Sequence, residues 1–139
     1  VQIAMKIHKT EESGHILMFL TGQDEIEEAI KLIYRKMEDF QVKANIEDKK
    51  LPLNLKIVPL YGALSASAQE EAFKEVDAQT RKVIVCTNIA ETSVTIPKIR
   101  FVIDAGYVKQ KVYDPQRRME SLIVVPISQA SSAQRAGRA

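Results

Sequence analysis

Apolar residues recur along this chain in two rhythms. Ile16 to Leu20 (ILMFL) is a short unbroken apolar run, the pattern of a strand covered on both faces. Residues 23–40 then place Ile26, Ala29, Ile30, Ile33, Met37 and Phe40 at helical spacing. The alternation repeats further on. Leu55 to Leu60 reads as a strand, and Ser67-x-x-Glu70 as a capping box opening a helix through about Val76. Lys82 to Cys86 reads as a third strand and residues 99–103 (IRFVI) as a fourth. Strands alternating with helices predict a parallel α/β sheet with crossover connections. Ahead of it, VQIAMKIHKT reads as a helix with Ile3 and Ile7 on one face, ended by the polar run Glu11 to Gly14. Residues 41–54, charged and carrying Pro52, read as an exposed loop.

The last third changes character. In Val108 to Tyr113, Lys109, Lys111 and Tyr113 alternate with Val108, Gln110 and Val112. Asp114-Pro115 begins a turn and Glu120 to Val125 returns, which predicts a β-hairpin with a basic, aromatic-tipped face. Tyr107 and Tyr113 suit either packing on the hairpin or stacking on bases. A helix follows, with Ser131 or Ser132 expected as N-cap, and stops at Ala139. So short a final helix makes residues 1–139 read as one domain of a longer protein.

Composition narrows the function classes. With 139 residues, 45% apolar, the chain can bury a core of its own. One Cys and two His exclude a disulfide framework and leave no zinc-ligand set. Cys86, ending an apolar strand, is expected as a buried small hydrophobe, and His8 and His15 at the surface or as caps. The longest apolar runs are five residues, against about 20 for a membrane span. No charged leader precedes an apolar stretch, so an intracellular setting, nucleus or cytoplasm, is expected. The net charge of +2 conceals a balance of −3 over residues 1–97 and +5 over residues 98–139. That basic third fits either an anionic partner or a solvated charged face.

In open parallel sheets, ligands bind beyond the carboxyl ends of the strands. Here those ends run into Thr21-Gly22, Tyr61-Gly62 and Thr87-Asn88. Hydroxyl, amide and backbone donors at such exits suit a sugar-phosphate backbone, though they also suit ordinary turns. The stretch TNIAETSVTI is denser, holding Thr87, Asn88, Thr92, Ser93 and Thr95 within ten residues. In the final helix Gln134 and Arg138 are four apart and share a face, with Arg135 adjoining and small residues between. That spacing reads as a cationic fork of the kind that matches phosphate.

Together these segments resemble the second RecA-like lobe of a superfamily 2 helicase of the DEAH-box class. FLTGQDEIE (Phe19 to Glu27) resembles the family's motif IV, and LYGALS (Leu60 to Ser65) the strand exit that follows it. TNIAETSVTI resembles motif V, and VIDAGYVKQKVYDP (Val102 to Pro115) the segment entering the family's hairpin. PISQASSAQRAGRA (Pro126 to Ala139) resembles the start of motif VI, QRAGRAGR. The sequence departs from the family at Pro97, where many members carry an acidic residue, and it stops before the last Arg of motif VI.

The resemblance implies a three-layer α/β domain, mostly parallel sheet with helices on both faces, plus a C-terminal β-hairpin. It implies that Thr21, Gly22, Thr87 and Asn88 hold an RNA backbone, with Lys109 and Lys111 of the hairpin beside the same strand. Ser93 and Thr95 would lie near the nucleotide. Gln134 and Arg138 would face the γ-phosphate, Arg138 as an arginine finger. ATP and Mg²⁺ would be bound mainly by a first RecA-like lobe. No GxxxxGKS/T phosphate loop and no DEAH tetrapeptide occur in this sequence, so these residues alone are expected to be catalytically inactive. The implied partners are single-stranded RNA, the first lobe and an activating protein, in RNA processing such as mRNA splicing. Two other readings fit the same residues: a lobe acting on DNA, and a non-catalytic nucleic-acid-binding or scaffolding module.

Overall fold

Four parallel strands, β1 (His15–Phe19), β2 (Asn54–Leu60), β3 (Thr80–Cys86) and β4 (Ile99–Asp104), make a sheet in the order β2-β3-β1-β4. This is a computed structural model, and it describes residues 1–41, 54–92 and 95–139. Most of the expected 41–54 loop, and Ser93, lie outside the described residues. Helix α1 (Gln2–Thr10) precedes the sheet, and α2 (Gln23–Gln41), α3 (Ala66–Glu70) and α4 (Ile89–Thr92) fall between its strands. An antiparallel hairpin of β5 (Tyr107–Asp114) and β6 (Met119–Pro126) follows, then α5 (Gln129–Ala136).

Strand alternation divides the core between the two faces of the sheet. Ile16, Met18, Leu55, Ile57, Val83 and Val85 pack with Ala4 and Met5 of α1 and Ile26, Ala29 and Ile33 of α2. Leu17, Phe19, Val58, Leu60, Ile84 and Cys86 pack with Ala72, Ala90 and Ile96 on the opposite side. Both faces are covered, which is why β1 and β3 read as near-continuous apolar runs. Each fully buried Ile or Leu contributes about 1.5–3 kcal/mol. Pro59 is tolerated in β2 because β2 is an edge strand.

Four local expectations are corrected. Helix α1 docks through Ala4, Met5 and His8, while Ile3 is 60% exposed. Ile7 packs against the same core, so of the two isoleucines only Ile3 falls outside the buried face. Helix α3 is capped by Ser65, whose hydroxyl accepts from the Ala68 N–H, not by Ser67, and it ends at Glu70 rather than near Val76. Helix α5 is capped by Ser128, accepting from the Ser131 N–H, rather than by Ser131 or Ser132. His8 and His15 are also buried rather than superficial. No helix among the described residues is long and apolar enough to cross a membrane.

Candidate functional site

Strand order decides where a ligand can sit. From β1 the chain passes through α2 on one face of the sheet to reach β2; from β3 it passes through α4 on the other face to reach β4. The connections therefore part between the exits of the neighbours β1 and β3, the crevice in which open α/β sheets bind ligands. Ladder bonds continue across these exits. The Leu20 N–H donates to the Cys86 carbonyl (2.8 Å), the Thr87 N–H to that of Leu60 (3.2 Å) and the Ala105 N–H to that of Phe19 (3.3 Å). Thr21-Gly22, Tyr61-Gly62, Thr87-Asn88 and Ala105-Gly106 thus stand side by side along one edge.

At the β1 exit, Thr21 is already engaged. Its N–H and its hydroxyl both donate to the Glu25 carboxylate, at 2.8 and 2.5 Å. Glu25 sits in the first turn of α2, where a carboxylate satisfies an otherwise unpaired donor and complements the helix dipole. Gly22 is buried, and a methyl group added there would stand 2.6 Å from Lys109 Nζ. The missing side chain is what lets Lys109 reach across from the hairpin to the start of α2. The hairpin is held at its base by the Ile127 N–H donating to the Gly106 carbonyl (2.9 Å). Gly106 takes a left-handed turn (φ 80°), and its N–H donates to Asp104 Oδ1 (2.8 Å).

Register places Tyr107, Lys109, Lys111 and Tyr113 on one hairpin face, opposite Pro126, Val124, Leu122 and Glu120. Lys111 lies further out, in an exposed ion pair with Glu120 (3.8 Å). Tyr107 and Tyr113 are exposed rather than packed away.

At the β3 exit, Thr87 is half-buried and Asn88 exposed. The single turn of α4 hangs from them. The Ala90 N–H donates to the Thr87 carbonyl (3.3 Å) and the Glu91 N–H to that of Asn88 (3.0 Å). Thr95, exposed, lines a cavity of about 100 Å³ together with Arg138, Gly137, Ala90 and Leu17. Arg138 is half-buried, and its Nε and Nη2 both donate to the Glu91 carbonyl, Nε at 2.8 Å. Gln134 is exposed. The candidate residues therefore fall into two groups: Thr21, Gly22, Lys109, Thr87 and Asn88 along the strand exits, and Thr95 with Arg138 beside the cavity.

The cationic fork read from the sequence is corrected in one member. Arg135 is 1% exposed and belongs to the core. Its Nε donates to Glu91 Oε2 (3.1 Å), its Nη1 to Asp104 Oδ1 (2.8 Å), and its guanidinium lies 4.8 Å from the centre of the Phe19 ring. Cys86 is buried, its thiol donates to the Met18 carbonyl (3.4 Å), and burial pushes its pKa up. The sequence does not mark Glu25 as the partner of Thr21; Glu91 reads there as a loop-orienting or ion-pairing acid, and the structure supplies its partner, Arg135. The spacing of Thr21 and Glu25, four residues apart at a helix start, is the one signal that pointed to Glu25.

Comparison with known proteins supplies a family and a fold. The family described as helicase conserved C-terminal domain matches residues 1–139. Over 138 residues the chain is 44% identical to the human "Probable ATP-dependent RNA helicase DHX35", covering 99% of this chain and 19% of that protein. Over 134 residues it is 48% identical to the Arabidopsis thaliana "Pre-mRNA-splicing factor ATP-dependent RNA helicase DEAH10", covering 96% of this chain and 18% of that protein. The crystal structure of the E. coli DExH-box NTPase HrpB superposes with a TM-score of 0.71 at 37% identity, covering 98% of this chain and 15% of that one. The chain thus spans about a fifth of the length of the curated relatives it matches.

Proposed function

The chain belongs to the helicase conserved C-terminal domain family, and its three-layer sheet is RecA-like; on that premise we propose that it is the second lobe of a DEAH-box ATP-dependent RNA helicase. One observation carries the reading. The cationic groups are divided between two places, Lys109 against Gly22 at the strand exits and Arg138 beside Thr95 on the α4 face. A helicase lobe must meet two polyanions, and these two places suit them.

Along the exits, Thr21, Gly22, Thr87 and Asn88 offer hydroxyl, amide and backbone donors to phosphates, and Lys109 supplies charge. Such contacts hold a backbone without reading bases. Thr21 must first exchange the Glu25 carboxylate for a phosphate oxygen. On the other side Thr95, Gln134 and Arg138 would face the nucleotide, and Ser93 lies just before Thr95 in the sequence. Arg138 would stabilise the charge that develops on the transferring phosphoryl group. Among the described residues no three His, Cys, Asp or Glu converge on a metal position. The Mg²⁺ that accompanies ATP would be held by the partner lobe and would supply positive charge to the phosphates there.

In the whole protein, closure of two lobes on ATP would bring their RNA-contacting edges together, and hydrolysis would release them. The relative named as a pre-mRNA-splicing factor supports an intracellular role in RNA processing. The test is Arg138→Ala in the full-length enzyme. Hydrolysis should fall by about 10³-fold or more, while RNA affinity stays within about twofold. Unchanged turnover would remove Arg138 from the reaction, and equal loss of both properties would mark a folding defect instead.

A further inference from the structure

Glu91 makes two contacts with the final helix, from different atoms. Its carboxylate accepts from Arg135 Nε, and its backbone carbonyl accepts from Arg138 Nε and Nη2. These two arginines are three residues apart on α5 and the turn that follows it. The same residue's N–H is bonded to the carbonyl of Asn88, at the strand-exit edge. Glu91 thus stands between the group of residues along the exits and the guanidinium beside the cavity.

The supporting chemistry is unequal on the two sides. Arg135 is almost wholly buried, lies over Phe19, and is held by two carboxylates, Glu91 and Asp104. A buried guanidinium keeps its place only while its ion pairs and hydrogen bonds are complete. Its planar fork fixes direction as well as distance, because two different nitrogens reach two different acids. Arg138, by contrast, is half-exposed on a long flexible stem. A side chain of that kind is useful in a reaction only if something aims it, since small misplacements cost large factors in rate.

We propose that Glu91 is a positioning residue for Arg138: its carboxylate anchors α5 through Arg135 while its carbonyl aims the Arg138 guanidinium. This rests on the arginine-finger reading above. Glu91 touches neither nucleotide nor RNA in this scheme. Its effect is confined to how well Arg138 is placed once ATP is bound.

The experiment uses the full-length enzyme with Glu91→Gln, Arg138→Ala and the double variant, measured at saturating single-stranded RNA. Glu91→Gln should lower kcat for ATP hydrolysis about tenfold to a hundredfold. KM for ATP and Kd for RNA should stay within about twofold. The double variant should lose no more than Arg138→Ala alone, because the two residues act through one group. If Glu91→Gln proves unstable, Arg135→Lys takes its place: a single ammonium cannot bridge both acids, and the same split between kcat and KM is expected. Normal kcat in a folded Glu91→Gln or Arg135→Lys enzyme overturns the proposal, and so do additive losses in the double variant. An active Arg138→Ala overturns the finger reading and this proposal with it. A dead Arg138→Ala beside a normal Glu91→Gln overturns this proposal alone.

Discussion

His8 and His15 are buried beside cations, and burial first, then those cations, lowers each pKa from 6.5 to about 4. Arg81 and Lys9 face His8; Lys82, Lys98 and Arg81 face His15. His15 also accepts the Lys82 N–H on Nδ1 (3.1 Å), a bond that needs the neutral ring. The folded pKa lies below the unfolded one, so protons favour the unfolded chain. Their contribution to stability is complete above pH 6.5 and lost progressively as the pH falls towards about 4. The urea midpoint should therefore be lower at pH 5 than at pH 7, a window above most carboxylate titration. A flat midpoint across that window would show that neither ring is held neutral. Neither histidine was legible as a core residue, because a lone imidazole at the edge of an apolar segment carries no periodic signal of its own. Arg135 was misread for a related reason. Spacing places a cation on a face, but it does not say whether acids from distant elements wait on that face.

Long basic side chains leaving β3 finish helices on both sides of the sheet. Arg81 Nη1 donates to the Ile7 carbonyl (2.7 Å) and Nη2 to those of Glu11 (2.8 Å) and Glu12, closing the carboxyl end of α1. Lys82 Nζ donates to the carbonyls of Ala72 (2.6 Å) and Lys74 (2.8 Å). A continued α3 would bond those two carbonyls to amides four residues on, which is why the helix is shorter than its capping pattern suggested. Arg81→Met keeps most of the buried volume and leaves the α1 carbonyls without their donor. It should cost about 3 kcal/mol in denaturant unfolding. Arg81→Lys should recover less than half, since a compact ammonium cannot span three acceptors. A loss below about 0.5 kcal/mol would mean that α1 is not tied to the sheet through this residue. At this scale the strands and α2 were legible to within a residue or two, because apolar runs and helical spacing are direct records of burial. Caps were not. The stretches Ser65-Ala66-Ser67 and Ser128 to Ser132 offer several hydroxyls, and the packing of the following turn selects among them.

Across the whole molecule, the sheet order brings together what the sequence keeps far apart. Gly22 and Lys109 are separated by most of the chain, yet the hairpin sets one on the other. The two exits that flank the point where the connections part were legible from strand pattern alone. The Gly22–Lys109 approach was not, because nothing local records which way a hairpin leans. The contact makes the proposed RNA path testable by salt. For single strands, log K falls against log salt with a slope of about −0.7 per phosphate neutralised. In the full-length protein, Lys109→Ala should reduce the magnitude of that slope by about 0.7, with equal loss across RNA sequences. Gly22→Ala should act in the same direction. The added methyl displaces only the end of a flexible side chain, and Gly22 does not need a left-handed backbone, so the fold should persist while Lys109 is pushed aside. Lys111→Ala should change the slope less, because its charge is shared with Glu120. An unchanged slope in both Lys109→Ala and Gly22→Ala would take the hairpin off the RNA path. A loss confined to particular sequences would mean that bases, not phosphates, are read there.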